Sequence, residues 1–209
     1  MKDWGDILDA ELAWRDAEMA SLKLLVAEAP TGSARQVSLL RALWTMLYAH
    51  YEGFCKFVWD FYLESLEDQG VTRGVCCVPV ARFSMSKRFR ELRGNLSDGA
   101  LWDACTSDFQ NWMNEQLRFD LRLETESNLW PELLKRNSSD VDLPSKMVEE
   151  HEFKLKALVA RRNEIAHGKK MIISSLAEYQ QYEEAAMLVM HELAVAVLNC
   201  LENKTYLKA

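Results

Sequence analysis

The sequence predicts an all-α fold, and three observations support that prediction. Only 8 glycines and 4 prolines occur in 209 residues, so the segments between turns must be long, which favours helices over closely spaced strands. Apolar residues recur at three- and four-residue steps over long stretches, as on one face of a helix. Hydrophobic residues make up 49% of the chain. That content is enough for the core of one helical domain spanning residues 1–209.

Two long helices are predicted in the N-terminal third. Residues 4–28 place apolar side chains at helical spacing between Asp and Glu residues, and Pro30-Thr31-Gly32-Ser33 ends that helix. Residues 34–67 are apolar on several sides, and a helix of that kind is usually central to its bundle. Its main stripe consists of Leu40, Trp44, Leu47, Tyr51, Phe54, Val58 and Phe61.

The middle of the chain is predicted to fold into shorter pieces. Between residues 70 and 140 the periodicity weakens, and glycines and prolines interrupt the sequence. We expect several short helices here. We interpret residues 71–120 as a helical insertion between the long helices, whose packing no periodicity fixes.

Regular helical spacing returns after Pro144. It continues to Gly168, a residue suited to the left-handed position that follows a helix C-terminus. One long helix or two abutting helices are expected. The segment Ser175-Leu176-Ala177-Glu178 has the form of a capping box and predicts a last helix to about Asn203.

Charge narrows the range of functions. A net charge of −7 argues against a protein that coats nucleic acid by bulk electrostatics, but it is compatible with an enzyme that has a local basic cleft. Two basic clusters stand out, and solvated helix faces are the alternative interpretation of both. They consist of Arg82, Lys87, Arg88, Arg90 and Arg93, and of Arg161, Arg162, Lys169 and Lys170.

Location and redox state are also predicted from composition. The N-terminus is charged and lacks the apolar run of a signal peptide, and no stretch reaches about 18 uninterrupted apolar residues. We therefore expect a cytoplasmic protein with no membrane partner. The five cysteines lack CxxC spacing, so we expect reduced thiols, with no disulfide framework, metal site or other cofactor.

The strongest candidate for chemistry is the helix end at residues 158–168. Arg162 offers a rigid fork of donors for phosphate oxygens, and His167 can transfer protons near neutral pH. Asn163 lies four residues before His167, so its amide could orient the imidazole. Arg162 lies about 140° around the helix axis from His167. Two copies of this helix across a two-fold axis could bring the two side chains together, which predicts a homodimer with a composite cleft.

A structural interpretation competes with this one. Arg162 could pair with nearby carboxylates while His167 finishes a helix C-terminus. His151 and His191 lie on helices with no nearby nucleophile or spaced ligand, and a structural role is expected for both.

Polar residues also interrupt the apolar second helix. Burying Glu52 or His50 costs free energy unless a partner satisfies the group. Glu52 could pair with Lys56 one turn on, or it could support an active site by orienting Arg162 or His167. His50 is a weaker candidate for the same supporting role.

The string Arg162-Asn163-Glu164-Ile165-Ala166-His167-Gly168 resembles the signature of HEPN domains, in which Arg is followed by a short spacer and His. A polar residue often follows the Arg, and Asn163 fills that place. The segment Leu47-Tyr48-Ala49-His50-Tyr51-Glu52-Gly53-Phe54 is similar to one in the RiboL-PSP-HEPN and MAE-type bacterial branch. Ser127-Asn128-Leu129 and the final helix, ending near Tyr206-Leu207, also sit where that branch has them.

The resemblance implies a HEPN-like bundle of long helices, a two-fold dimer and an endoribonuclease that needs no metal. The RNA 2′-hydroxyl would attack the adjacent phosphate, leaving a 2′,3′-cyclic phosphate. His167 would act as general base or acid, Arg162 would stabilise the developing charge, and Asn163 would support them. Arg161, Lys169 and Lys170 would form a basic rim for the RNA backbone, which the Arg82–Arg93 cluster would extend if it lies near.

The same resemblance implies a toxin or phage-defence role, with a cognate antitoxin or a companion subunit as a partner. The alternative is an inactive HEPN module that dimerises and docks a partner protein or RNA. A third possibility, nucleotide transfer onto a hydroxyl, is disfavoured because the chain lacks a Gly-rich phosphate loop and paired carboxylates.

Overall fold

A computed structural model describes residues 3–94 and 96–208. Within these ranges the regular structure is helical, apart from two isolated β-bridges, Thr72 with Gln116 and Cys76 with Leu207. The all-α prediction is confirmed. The helices are α1 (Trp4–Glu28), α2 (Ala34–Asp68), α3 (Val78–Ser84), α4 (Ser86–Leu92), α5 (Asp98–Asp103), α6 (Phe109–Asn114), α7 (Pro131–Asp140), α8 (Lys146–Glu150), α9 (Glu152–Ala166) and α10 (Leu176–Asn203).

Helix α2 is the centre of the bundle, as its apolar pattern predicts. It packs against α1, α9 and α10, and these contacts bury most of its large apolar side chains. Two buried polar atoms on α2 find partners on neighbouring elements. The Trp44 indole donates a hydrogen bond to the carbonyl of Leu158 at 3.1 Å, and the Tyr62 hydroxyl lies 3.0 Å from Sγ of Cys200. These contacts join α2 to α9 and to α10.

Three of the long helices begin at a side-chain cap, and Ser175 is the cap that the sequence predicts. Asp3 caps α1, Ser33 caps α2 and Ser175 caps α10, each by accepting hydrogen bonds from backbone amides of the first turn. The capping box at α10 forms only in part. The amide of Glu178 donates to Ser175 Oγ, but the Glu178 carboxylate accepts from the amide of Ser174 rather than from that of Ser175.

The segment after Pro144 forms two abutting helices, which is one of the two predicted possibilities. Helix α8 ends at Glu150 and α9 begins at Glu152, with His151 between them as the cap of both. At the other end of α9, Gly168 has a φ of 75°. The amide of Gly168 donates to the carbonyl of Ile165, and the amide of Lys169 donates to that of Glu164. Together these bonds form the predicted left-handed cap of the Schellman type.

A buried arginine joins the short helices α3 and α6 to each other. Arg73 is 4% exposed, and its guanidinium donates to the carbonyl of Trp112, to the carboxylate of Glu115 and to Ser84 Oγ. Helix α5 continues through a π-helical turn, Ala104–Asp108, into α6. The short helices are as predicted, and the description of residues 71–120 as an insertion stays a prediction.

Helix α10 is long and apolar enough to cross a membrane by length and composition alone. More than half of its most apolar window, 56%, is buried within the bundle. Helices α1, α2, α8 and α9 pack against it, which is the environment of a core helix.

Candidate active site

Arg162 lies at the centre of a polar cluster built by three elements. Its Nη1 donates to Oδ1 of Asn163, its neighbour on α9, at 2.8 Å, and to Oδ1 of Asn128, in the loop before α7, at 3.3 Å. Its Nη2 lies 3.5 Å from Oε2 of Glu52 on α2. The side chains of Arg162 and Glu52 remain 22% and 21% exposed. The guanidinium is therefore fixed in orientation while part of it faces solvent.

Tyr48 forms the floor under this guanidinium. Cζ of Arg162 lies 3.9 Å from the centroid of the Tyr48 ring, a cation–π geometry. The Tyr48 hydroxyl accepts a hydrogen bond from the amide of Leu129 at 2.8 Å. Burial, assisted by the charge of Glu52, raises the pKa of Tyr48 to about 12. Tyr48 is therefore a neutral phenol at physiological pH, and it positions both Arg162 and the loop that carries Asn128.

Glu52 takes the supporting position at Arg162 and makes no described contact with Lys56. The structure thus brings together Arg162, Asn163 and Glu52 from the predicted residues. It adds Tyr48 and Asn128, which were not predicted as site residues. Both lie in the two segments whose similarity to the bacterial branch pointed to the family, and that similarity was the available signal.

His167 occupies the C-cap of α9 and is exposed. Its position is set by the backbone, because its amide donates to the carbonyl of Asn163 at 2.9 Å and Gly168 turns the chain directly after it. Within the described ranges its imidazole makes no hydrogen bond or ion pair. The Asn163 amide oxygen faces Arg162 instead of the imidazole. A single chain therefore presents Arg162 and His167 as separate groups at one helix end.

His50 does not join the Arg162 cluster, so the supporting role predicted for it there does not match its position. It is 6% exposed and packs against α1, where its Nε2 lies 2.8 Å from Oε2 of Glu18 and its ring meets the edge of Trp14 at 5.2 Å. Burial lowers the pKa of His50, although Glu18 acts in the opposite direction. The contacts are those of a histidine that joins α1 to α2.

The predicted basic rim contains one anchored arginine and two exposed lysines. Arg161 makes an ion pair with Glu178 on α10, and its Cζ lies 5.0 Å from the Trp44 ring and 5.3 Å from the Tyr182 ring. Burial acts to raise the pKa of Glu178, but the hydrogen bonds that it accepts from Ser174 and Arg161 outweigh burial and lower it. Lys169 lies 3.4 Å from Glu164, and Lys170 is exposed.

Replacing Arg161 with alanine is expected to reduce stability. The substitution removes an ion pair and an aromatic contact that join α9 to α10, and an aromatic contact that joins α9 to α2, so we expect the free energy of unfolding to fall by about 1 to 2 kcal/mol. Urea denaturation followed by circular dichroism measures this value. The matched control is Lys170→Ala, which removes an exposed cation. Equal midpoints for the two variants would contradict an anchoring role for Arg161.

The fold and the cluster define a class of protein. An all-helical bundle whose penultimate long helix carries Arg162, Asn163 and a capping His167 has the organisation of a HEPN domain. The family model described as HEPN_MAE_28990-like HEPN matches residues 4–206. The chain belongs to this family, a MAE-type HEPN family, and membership indicates a HEPN-type nuclease or a related function. No match was found among curated proteins or among solved structures.

Proposed function

We propose that this protein is a metal-independent endoribonuclease. The observation that supports the proposal most directly is the position of Arg162, whose fork of donors is held by Glu52, Asn128 and Asn163 and stays partly open to solvent. An arginine oriented in advance stabilises charge developing on a phosphoryl group without reorganising during the reaction. The exposed imidazole of His167 at the same helix end supplies a group for proton transfer.

The proposed reaction is transesterification within the RNA. The 2′-oxygen attacks the adjacent phosphorus, the bond from phosphorus to the 5′-oxygen breaks, and the products are a 2′,3′-cyclic phosphate and a 5′-hydroxyl. One proton leaves the 2′-hydroxyl and one is added to the departing 5′-oxygen, and His167 performs one or both of these transfers. Arg162 donates to the non-bridging oxygens, where negative charge builds up.

The proposed site is composite. Within one chain the Arg162 guanidinium faces α2 and the loop at Asn128, and His167 lies beyond the helix end, with no described contact between them. A second chain related by two-fold symmetry can place its His167 beside this Arg162, and the reciprocal pair forms by the same symmetry. We therefore propose a homodimer with two active sites.

A toxin or phage-defence role in the cytoplasm is the biological setting that we propose. An RNA-cleaving enzyme that needs no cofactor is active as soon as it folds and dimerises, so a cell that carries it needs a means of control. A cognate antitoxin or companion subunit would provide it.

Purified protein is expected to cut a mixed cellular RNA pool in the presence of excess EDTA. The fragments should end in 2′,3′-cyclic phosphates, because the nucleophile is the RNA's own 2′-hydroxyl. DNA of matched sequence lacks this hydroxyl and should stay intact. Analysis of the fragment 3′ ends provides the measurement. Cleavage that EDTA abolishes, or fragments with 3′-hydroxyl ends, would contradict the proposed mechanism.

A further inference from the structure

A cavity rich in arginine lies where α4, α7 and the segment 121–126 meet. It has a volume of about 430 Å³ and adjoins a groove of about 700 Å³, with which it shares Ser86, Arg93 and Asp140. Three carboxylates line the cavity and the groove taken together. The arginines that line the two are Arg82, Arg90, Arg93, Arg122 and Arg136. Cations thus outnumber anions here, in a chain whose net charge is −7.

Internal ion pairs neutralise only part of this positive charge. Arg82 pairs with Asp140 at 3.1 Å, and Arg136 pairs with Glu126 at 2.7 Å. The other arginines of the cavity, Arg90, Arg93 and Arg122, make no ion pair within the described part of the chain, and Glu124 is the one lining carboxylate that is left to oppose them. The excess of positive charge favours an anionic occupant.

Arg122 gives a second indication of an anionic ligand. Its Nη1 is buried and has no hydrogen-bond partner among the described residues. Leaving a buried charged donor unsatisfied is costly, so such an atom calls for a partner. Asp60 on α2 lies near enough to interact electrostatically with Arg122, although burial raises the pKa of that carboxyl. The Arg122 guanidinium lines the cavity, so a phosphate bound there would lie beside this positive charge, although Nη1 itself is covered by protein atoms.

We infer that this cavity binds a backbone phosphate of the RNA strand that is cleaved at Arg162. Arginine is the side chain best suited to bidentate recognition of phosphate. One short segment connects the two sites, because Glu126 lines the cavity and Asn128, two residues on, contacts Arg162. Two residues span at most about 7 Å between Cα atoms. The inference rests on the proposed function and adds a substrate-holding subsite to it.

Aromatic side chains favour a polynucleotide as the source of the phosphate. Phe83 lines the cavity and Phe89 lines the groove beside the arginines, and nucleic-acid bases stack on such rings. A free nucleotide offers the same phosphate chemistry. The groove continues beyond the cavity, however, which suits a strand that extends past one phosphate.

The test uses a fluorescent RNA oligonucleotide whose 2′-hydroxyls are all methylated, so that it binds without being cleaved. Arg90→Gln and Arg93→Gln are each expected to weaken its binding to the full chain about three- to tenfold, and to make the salt dependence of affinity shallower by roughly one phosphate contact each. Arg35→Gln is the matched control, because Arg35 is an exposed arginine in the first turn of α2 that lines neither the cavity nor the groove. Arg35, Arg90 and Arg93 are all exposed and make no ion pair within the described part of the chain, so the three variants are expected to melt close to the wild-type temperature.

The possible outcomes separate this inference from the proposed function. Selective weakening by Arg90→Gln and Arg93→Gln supports the subsite, even if no RNA is ever cleaved. Equal affinities for these two variants and the Arg35→Gln control would overturn it, even if cleavage depends on His167. ATP serves as the free-nucleotide probe. If Arg90→Gln and Arg93→Gln lose ATP binding but keep oligonucleotide binding, the assignment to an RNA strand is overturned.

Discussion

Replacing His167 with alanine is expected to lower the rate of RNA cleavage by about 10²- to 10⁴-fold, the usual contribution of a general acid or base. The imidazole is exposed and makes no described side-chain contact, and the turn that follows it is held by Gly168 and by backbone hydrogen bonds. The substitution should therefore remove proton transfer and leave the fold unchanged. Single-turnover cleavage of a defined RNA, with circular dichroism in parallel, measures both effects.

His191→Ala is the matched control for His167→Ala. His191 is also exposed, but it lies on α10 and has no described contact with the Arg162 cluster. Its replacement should leave the cleavage rate within about twofold, as expected of a surface substitution. A His167→Ala protein that cleaves at the wild-type rate would remove His167 from the mechanism.

In cells, expression of the wild-type chain should slow growth, and His167→Ala should relieve that effect.

Most of the fold could be predicted from the sequence because burial alternates along the chain with a helical period. Helix α1 has the predicted bounds, and α2 differs by one residue. The loop from residue 115 to residue 130 could not be placed in the same way. Its position depends on single contacts, such as the amide of Phe119 with Glu67 and the amide of Leu129 with Tyr48. Such contacts leave no periodic trace in a sequence.

In the candidate site too, some residues could be predicted from the sequence and others are placed by contacts that leave no sequence pattern. Arg162, Asn163 and Glu52 could be named from local spacing and from the cost of burying a carboxylate. His50 was assigned to the same site, but residues two apart on a helix lie about 200° apart around its axis. Glu52 therefore faces α9 while His50 faces α1, as their contacts with Arg162 and Glu18 show. Asn128 reaches the cluster from a loop, and periodicity carries no information about that contact.

Mixing two inactive variants is expected to restore activity. In the proposed dimer each site takes Arg162 from one chain and His167 from the other. A heterodimer of Arg162→Ala and His167→Ala chains then contains one site with both substitutions and one intact site. With random exchange, half of the dimers are heterodimers and half of their sites are intact, so about a quarter of wild-type activity should return. The measurement is the cleavage rate after the two proteins are mixed and allowed to exchange.

The control for this experiment is Arg162→Ala mixed with a chain that carries both substitutions. No dimer in that mixture has a complete site, so activity should stay at the level of Arg162→Ala alone. Native mass spectrometry of the mixtures shows whether heterodimers have formed. If they form and the first mixture stays inactive, Arg162 and His167 must act within one chain. The two side chains would then have to reach one phosphate from positions about 140° apart around the axis of α9.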